Sequence, residues 1–552
     1  MSAANRSRHL SLLILGVTAA CLATGSAGAE PAQLPALEPT TIEVDLSSLP
    51  ASEKAALARI VHAGRLMDAL YIRQVWPGTV SLMTERESAH TPSAQAELTA
   101  LNFFKRPWDD QDVPFIAGVP AKPPIGDFYP ADSSKAEIDS WLASLPAHDR
   151  TQALDPFTVI SRARDGQFEV SRYSHYYARQ LTLAARELRA AANLTREPTL
   201  KRYLSARAKA LLDDDYFASD VSFVGLKGPI DVVLGPYEMD EDKWFGVKTA
   251  FEASIAIVNK AATQRIAGDS AHLQELEDHL PLAPELRGRK LGAAAPVLVL
   301  DAIYQGGLMA AGGAHYGYGL PNDLRVLNAA GARTATYRNI ARVDYQTYYA
   351  PIADVALASS ARATLQFDDV LDEILMVRLF DSLGPQFVTG TTRPIADALQ
   401  AKAGVAGQIR SMLLSLWGHR YLIEHGYLES RGGGALYAAF LVPALDRARD
   451  GLEGPRSQAS TYILNHLIEA GAVRADADGR FTIDPMRADA EVTRAASEFV
   501  TLMAKGDLVA IEMLLARYVI VSPEVKAELD RIGPSPPLQR IVYRTADQLD
   551  PR

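Results

Sequence analysis

The spacing of apolar and polar residues predicts helices over the first part of the chain. From about residue 51 to 103 the apolar positions follow a helical period, and Ser52 is the predicted cap. A further helix is predicted to begin after Ser133 or Ser134. Residues 171–213 are alanine-rich and strongly helical in pattern. This part of the chain is therefore predicted to be mainly α-helical.

The pattern changes over residues 221–258, where valine, isoleucine and phenylalanine recur at short range between glycines. This spacing predicts strands, with a helix starting near Lys243. Strand-like segments recur at 295–305, 315–329 and 335–343. After about residue 350 nearly every segment is predicted helical as far as 530. The fold class is thus α+β and predominantly α, with a mixed lobe that has a strand core at 51–345 and an all-helical lobe at 346–552.

The N-terminus is typical of a secretory signal peptide. Two arginines and a histidine precede the apolar run LSLLILGVTAACLA, and small residues end at Ala29. We expect cleavage before Glu30, a signal peptide at 1–29, a proline-rich linker at 30–50 and a secreted, periplasmic bacterial protein. Lipid attachment at Cys21 is the alternative, but the residues before this cysteine lack the usual large aliphatic side chain.

Composition excludes several classes of function. Cys21 is the only cysteine, so a chain without its signal has no disulfide and no thiolate ligand. The net charge is −10 and no basic cluster is present, which argues against binding to nucleic acid. No segment after the signal reaches a membrane-spanning length, so we expect no membrane association once the signal is removed. We find no P-loop, no G-x-S-x-G elbow and no H-E-x-x-H motif.

Four segments in order resemble the dipeptidyl peptidase III family, particularly its bacterial-type and plant Nudix-fused members. They are GDFYPADSSKAEIDSWLA with DPFTVISR, LLDDDYFASD with PIDVVLGPYEMDEDKWFGVKTAFEA, GYGLPNDLRV, and FDDVLDEILMVRLFDSLGP. With their spacing they cover roughly residues 100–500. The resemblance implies two lobes facing each other across a cleft, a zinc ion on the helical lobe and dipeptidyl-peptidase activity.

The residues that the family uses to bind zinc are replaced in this chain. The family's zinc helix has H-E-x-x-H after F-D and eight residues, which matches Val377, Arg378 and Asp381 here. Its second helix supplies a glutamate ligand and an orienting carboxylate, and Gln408 and Met412 stand at those positions. A histidine implicated in transition-state stabilisation is matched by Arg456.

These replacements are incompatible with zinc catalysis. A catalytic zinc needs about three protein ligands, whereas valine has no lone pair and glutamine is a weak neutral ligand. An arginine stays protonated and cannot act as a general base. We therefore expect no cofactor, no bound metal and no intact catalytic residue. We hypothesise instead that Arg378 and Asp381 pair, with Arg456 approaching; solvation of both on the cleft wall is the alternative.

The opposite lobe keeps part of the family's peptide-binding pattern. The resemblance assigns recognition of a peptide's amino terminus to Glu238 and Asn322, which are present, while Gly319 and Asp240 replace two other family residues. A carboxylate with an amide suits an ammonium group. Structural roles in a turn and at a strand end are the alternative for both residues.

The leading hypothesis is a secreted, catalytically silent relative of dipeptidyl peptidase III that still binds peptides. An active hydrolase with relocated chemistry is the second hypothesis, and its candidate residues are Asp368, Asp369, Asp372, Glu373 and Asp381. Against it, acids in the first turn of a helix simply favour the helix dipole. The third hypothesis is a structural or partner-binding scaffold.

Overall fold

A five-stranded mixed sheet forms the centre of the first lobe, in the order β4-β5-β6-β8-β7. In this computed structural model the described residues are 34–291, 297–429 and 432–551; the predicted signal peptide and Cys21 lie outside them. The first elements are β1 (Leu37–Ile42), α1 (Ala51–Val75), α2 (Gly78–Ala89), α3 (Pro92–Phe104), α4 (Lys135–Ser144), α5 (Ala147–Ala153), β2 (Thr158–Arg162), β3 (Phe168–Arg172), α6 (Tyr173–Tyr176), α7 (Ala178–Leu194), α8 (Pro198–Asp213), α9 (Phe217–Val224), β4 (Ile230–Glu238), β5 (Ala250–Val258), α10 (Lys260–Ser270), α11 (Leu273–Asp278), β6 (Val297–Gly307), β7 (Gly317–Leu320), α12 (Leu324–Ala330), β8 (Arg333–Tyr337) and α13 (Arg338–Asp344).

The second lobe is built from helices and one short hairpin. Its elements are α14 (Ala350–Ala356), α15 (Ser359–Thr364), α16 (Phe367–Phe380), α17 (Ile395–Leu399), α18 (Ala403–Glu424), α19 (Gly433–Arg449), α20 (Pro455–Glu469), β9 (Val473–Ala475), β10 (Phe481–Ile483), α21 (Pro485–Lys505), α22 (Leu508–Tyr518) and α23 (Pro523–Ile532). The chain then returns to the first lobe as β11 (Leu538–Tyr543) and α24 (Arg544–Leu549). Helix makes up 57% and strand 14% of the structure, which confirms the predicted α+β, predominantly α class.

The central sheet is buried because helices cover it. Almost every residue of β4 and β5 is buried, as their continuous apolar runs require. Helix α1 crosses β5 and β6 closely at Gly64, where a Cβ atom would lie 2.8 Å from Ile255 Cδ1. Only β6 and β8 pair in parallel; the other neighbours in this sheet are antiparallel.

Two large apolar clusters correspond to the two lobes. One contains the sheet with α1, α7 and α8, and the other contains α16 and α18 to α21. Apolar residues of α10 and α11 belong to the second cluster, although both helices precede residue 345. Within the described ranges no helix has the length and apolar character needed to cross a bilayer.

The two ends of the described chain meet on the first lobe. Strand β1, within the stretch expected to be a linker, pairs in parallel with β11 over six residues. Helix α24 follows and packs against α1, where Arg65 donates to Asp547 at 2.8 Å. A strand forms in this proline-rich stretch because β11 supplies hydrogen-bonding partners from nearly 500 residues away.

The predicted helix near Lys243 is wrong. Residues 239–249 form turns instead, and β5 begins at Ala250. The Asp242 carboxylate accepts from the backbone N–H groups of Phe245 (3.1 Å), Val247 (2.9 Å) and Lys248 (3.0 Å). Such side-chain bonds to nearby backbone groups compete with helix formation.

Candidate functional site

Helix α16 supplies the residues matched to the family's zinc helix. It begins with a capping box, in which the Asp369 carboxylate accepts from the Gln366 N–H at 2.8 Å while the Gln366 side chain caps the first turn. Val370, Leu371, Leu375 and Met376 are buried in the core of the helical lobe. Because this apolar face is buried in the helical lobe, Val377 and Arg378 lie on the side of the helix that faces the junction between the lobes.

Val377, Arg378, Met412 and Arg456 are brought together around one cavity of about 210 Å³. We call this space the arginine cavity, because Arg378, Arg447 and Arg456 all line it. In the sequence these residues belong to three separate helices, α16, α18 and α20. The packing of α16 and α20 against α18 brings them together. Four of the six altered positions thus occupy a single site.

The other two altered positions face elsewhere. Asp381, just after α16, lines a neighbouring cavity of about 610 Å³. Gln408 is partly buried on α18, and its Oε1 atom has no hydrogen-bond partner within the described part of the chain.

The side chains at these positions do not fit a zinc ion. Val377 and Met412 present an alkyl group and a thioether, and Arg378 and Arg456 bring positive charge. In the ranges that the structure describes, no group of three or more histidine, cysteine, aspartate or glutamate residues could hold a metal ion. No step of a reaction is therefore assigned to zinc at this site.

Asp381 pairs with α18 instead of with Arg378, unlike the cluster hypothesised from sequence. Ser411 Oγ donates to Asp381 Oδ1 at 2.5 Å, and Arg410 Nη2 donates to the Asp381 carbonyl at 2.8 Å. The Arg410 guanidinium also lies 3.5 Å from Asp381 Oδ1. The reason is geometric: Asp381 follows the last helical turn, so it meets the adjacent helix.

Arg378 has no ion-pair partner among the described residues. It is half-buried, and desolvation followed by repulsion from Arg456 lowers the pKa of its guanidinium. Arg456 is exposed at the mouth of the cavity, yet loss of water around its guanidinium and repulsion from Arg447 lower its pKa as well. The cavity therefore concentrates positive charge.

The acids proposed for relocated chemistry do not converge. Asp369 and Asp372 line a cavity of about 660 Å³ beside α10, and Asp372 accepts from Arg265 at 2.6 Å. Glu373 is buried at the arginine cavity, where burial raises the pKa of its carboxyl. Asp381 faces a third space, and Asp368 lines none of the three cavities described here.

Glu238 and Asn322 lie in contact although they come from the two opposite edge strands of the central sheet. Asn322 Nδ2 donates to Glu238 Oε1 at 3.2 Å, with Glu238 at the end of β4 and Asn322 just after β7. Buried Glu252 lies beneath them on β5, and its pKa is raised by burial and then by Glu238 and Asp240. The raised pKa favours a neutral Glu252, so the charge that suits an ammonium group comes from the Glu238 and Asp240 carboxylates.

Sequence reasoning missed three residues of these sites. Glu252 is an acid inside the apolar strand AFEASIAIV. This is a recognisable signal, because glutamate is rarely fully buried unless it is paired. Arg447 and Asp446 lie in the buried helix α19 and carried no such signal, since their neighbours ALDRARD resemble an ordinary solvated helix end.

Comparisons with known proteins agree with this architecture. No family model matches the chain. It is similar to a dipeptidyl-peptidase III structure from Corallococcus sp. strain EGB, with 38% identity, a TM-score of 0.77, and coverage of 93% of this chain and 96% of that chain. A DPP III structure from Caldithrix abyssi has 28% identity and a TM-score of 0.89, covering 93% of this chain and 98% of that one. The Arabidopsis thaliana protein Nudix hydrolase 3 is 26% identical over 555 residues, covering 91% of this chain and 72% of that protein.

The fold and these similarities define the class of protein as one with a peptidase-like hydrolase fold. More specifically, the chain belongs to the dipeptidyl peptidase III family, which confirms the resemblance inferred from its sequence segments.

Proposed function

We propose that this protein is a secreted, periplasmic and catalytically silent member of its family that binds peptides between its lobes. The observation that carries the proposal is the composition of the arginine cavity. Val377, Arg378 and Met412 stand together where the family's pattern requires a histidine ligand, a general base and an orienting carboxylate. None of the three can perform the corresponding task.

Peptide binding is supported by the Glu238–Asn322 contact. The carboxylate and the amide oxygen can accept hydrogen bonds from a peptide's ammonium group, and Asp240 adds a second carboxylate nearby. This region lies in the first lobe and does not depend on a metal, so binding can persist after catalysis is lost.

The test compares metal content and turnover. The mature protein, which begins at Glu30, is incubated with zinc and dialysed. Its zinc content is then measured by elemental analysis, and its activity by hydrolysis of dipeptide arylamides. We expect less than stoichiometric zinc and no turnover. A variant carrying Val377→His, Arg378→Glu, Asp381→His, Gln408→Glu and Met412→Asp provides the matched control for zinc retention. Stoichiometric zinc with turnover in the unmodified protein would overturn the proposal of silence.

Secretion is tested separately by expressing the full chain in a Gram-negative host. We expect the protein in the periplasmic fraction with Glu30 as its first residue. A chain that keeps residues 1–29 in the cytoplasm, or one that is lipid-modified at Cys21, would contradict this part of the proposal.

A further inference from the structure

The arginine cavity contains more positive than negative groups. Arg378, Arg447 and Arg456 line it with only two carboxylates, Glu373 and Asp446. If both carboxylates are ionised, the five groups carry a net charge of +1. The three guanidinium groups come from α16, α19 and α20, so it is the tertiary packing that brings them into one space.

The two acids are poorly placed to neutralise the arginines. Asp446 accepts a hydrogen bond from Arg449, which does not line the cavity, and so shares its charge with a fourth guanidinium. Glu373 is only 3% exposed, and it attracts Arg456 without forming a hydrogen bond to it. Burial raises the pKa of both carboxyl groups, that of Asp446 to about 6, which weakens their negative charge further.

Two of the arginines have donors to spare. Arg447 Nη1 donates to Ser460 Oγ at 3.0 Å, which anchors it to α20. Arg378 and Arg456 form no hydrogen bond or ion pair with another residue in the described ranges. Each guanidinium has five N–H donors in a planar fork, a geometry that matches carboxylate and phosphate oxygens.

The cavity also has neutral donors and a limited size. The hydroxyl groups of Tyr316 and Tyr349 lie 3.4 Å apart on its wall. Its volume of about 210 Å³ is below the roughly 300–1,000 Å³ typical of sites for whole drug-sized ligands. The space therefore suits one charged group of a ligand, or one small ion.

We propose that the arginine cavity binds an oxyanion group, held by Arg378 and Arg456 with Arg447 behind them. The group is either free inorganic phosphate or the carboxylate of a small organic molecule such as a short peptide. Such an anion satisfies donors that the protein leaves unbonded and relieves the repulsion between the guanidinium groups. This goes beyond the proposed function, because catalytic silence and amino-terminus binding at Glu238 require no anion here.

The test uses calorimetric titration of the full mature protein with sodium sulfate and with sodium phosphate at constant ionic strength. We expect saturable binding of one anion per chain. Arg456→Gln should weaken it roughly tenfold or more, because a charge-assisted hydrogen bond contributes about that factor. Arg456 is exposed, so this variant is expected to fold; Arg378→Gln should act in the same direction. Arg202→Gln, at an exposed position on α8 away from the cavity, is the matched control and should bind as the unmodified protein does.

Competition identifies the source of the oxyanion. A dipeptide with a free carboxylate should displace sulfate more effectively than its carboxyl-amidated form if peptide carboxylates occupy the cavity. If phosphate displaces sulfate and neither dipeptide does, the ligand is a free anion. The proposal is overturned if sulfate and phosphate show no saturable binding, or if Arg378→Gln and Arg456→Gln bind them as Arg202→Gln does. None of these outcomes bears on zinc content or turnover, which test the proposed function.

Discussion

At the scale of single residues, charge distinguishes the two sites on either side of the junction between the lobes. The site on the central sheet is acidic, with Glu238 and Asp240, and the arginine cavity is basic. In the sequence match Arg378 takes the position of a glutamate of the family's motif, and an arginine donates hydrogen bonds but does not accept a proton. A ligand with an ammonium group and a carboxylate group is complementary to both sites.

Glu238→Gln should weaken the binding of short peptides about tenfold or more. The variant removes the charge that accepts from the peptide's ammonium group while preserving the side-chain shape. Calorimetry with free and N-acetylated peptide measures the effect. Acetylation of the peptide should reduce its affinity as much as the variant does. The two changes together should reduce the affinity little more than either change alone. Glu285→Gln, an exposed acid elsewhere, is the matched control; equal binding by both variants would exclude Glu238 from the site.

Asp344→Asn should stabilise the protein more at pH 8 than at pH 5. Burial, and then the nearby Asp446, raises the pKa of Asp344 to about 7, above its unfolded value of 3.8. The stability linked to this proton is present at low pH and is lost as the pH rises through about 7. We expect the variant's gain in free energy of unfolding to be about 1–2 kcal/mol larger at pH 8 than at pH 5. Urea denaturation at both pH values checks this, and a benefit independent of pH would contradict it.

At the scale of elements, contacts between side chains and backbone link α16 to α18. Arg410 donates to the carbonyl that follows the last turn of α16, and its positive charge suits the C-terminal end of a helix. The helices also approach closely at Gly418, where a Cβ atom would lie 2.8 Å from Phe380 Cζ. These two contacts hold the helices together independently of any bound ion.

Arg410→Met should lower the free energy of unfolding by about 1–3 kcal/mol. The variant leaves the Asp381 carbonyl without its donor and removes a charge-assisted contact in a largely buried setting. Urea denaturation measures the change, with Arg202→Met as the exposed control. Stability equal to that of the control would show that the link between α16 and α18 is not energetically important.

At the scale of the whole molecule, the C-terminal segment joins the end of the chain to the first lobe. Strand β11 and helix α24 follow the helical lobe in sequence, yet Ala546 is buried in the core of the first lobe. Arg65 on α1 binds both Asp547 and the carbonyl of Asp550. The segment therefore adds a further covalent connection between the two lobes.

Ending the chain at Pro536 should destabilise the first lobe more than the second. Without β11 and α24, strand β1 has no partner and part of the core is exposed, which should cost about 2 kcal/mol or more. Hydrogen–deuterium exchange should show lost protection in β1 and α1, while α18 and α21 remain protected. Arg65→Gln, which removes only the polar contacts, should have a smaller effect. Uniform loss of protection in both lobes would contradict this picture.

The helices and strands were largely predictable because their signals are local. The valine- and leucine-rich run at 297–307 is β6, and Ser134 caps α4 as expected from sequence. The helix expected near Lys243 failed because Asp242 binds three backbone N–H groups of the following turn. Strand β1 was not expected, because its partner β11 lies at the other end of the chain.

The class of fold and the family could be predicted without a structure, because periodicity, ordered segments and side-chain chemistry can all be read along the chain. The sequence match also identified Val377, Arg378, Met412 and Arg456 as individual positions of the family's zinc-site pattern. Helix packing brings these four residues into one cavity with Arg447 and places Asp381 against α18 instead of Arg378, and neither contact could be predicted from the sequence. The physical reason is that pairing between charged side chains depends on distances set by helix packing, and sequence separation does not specify those distances.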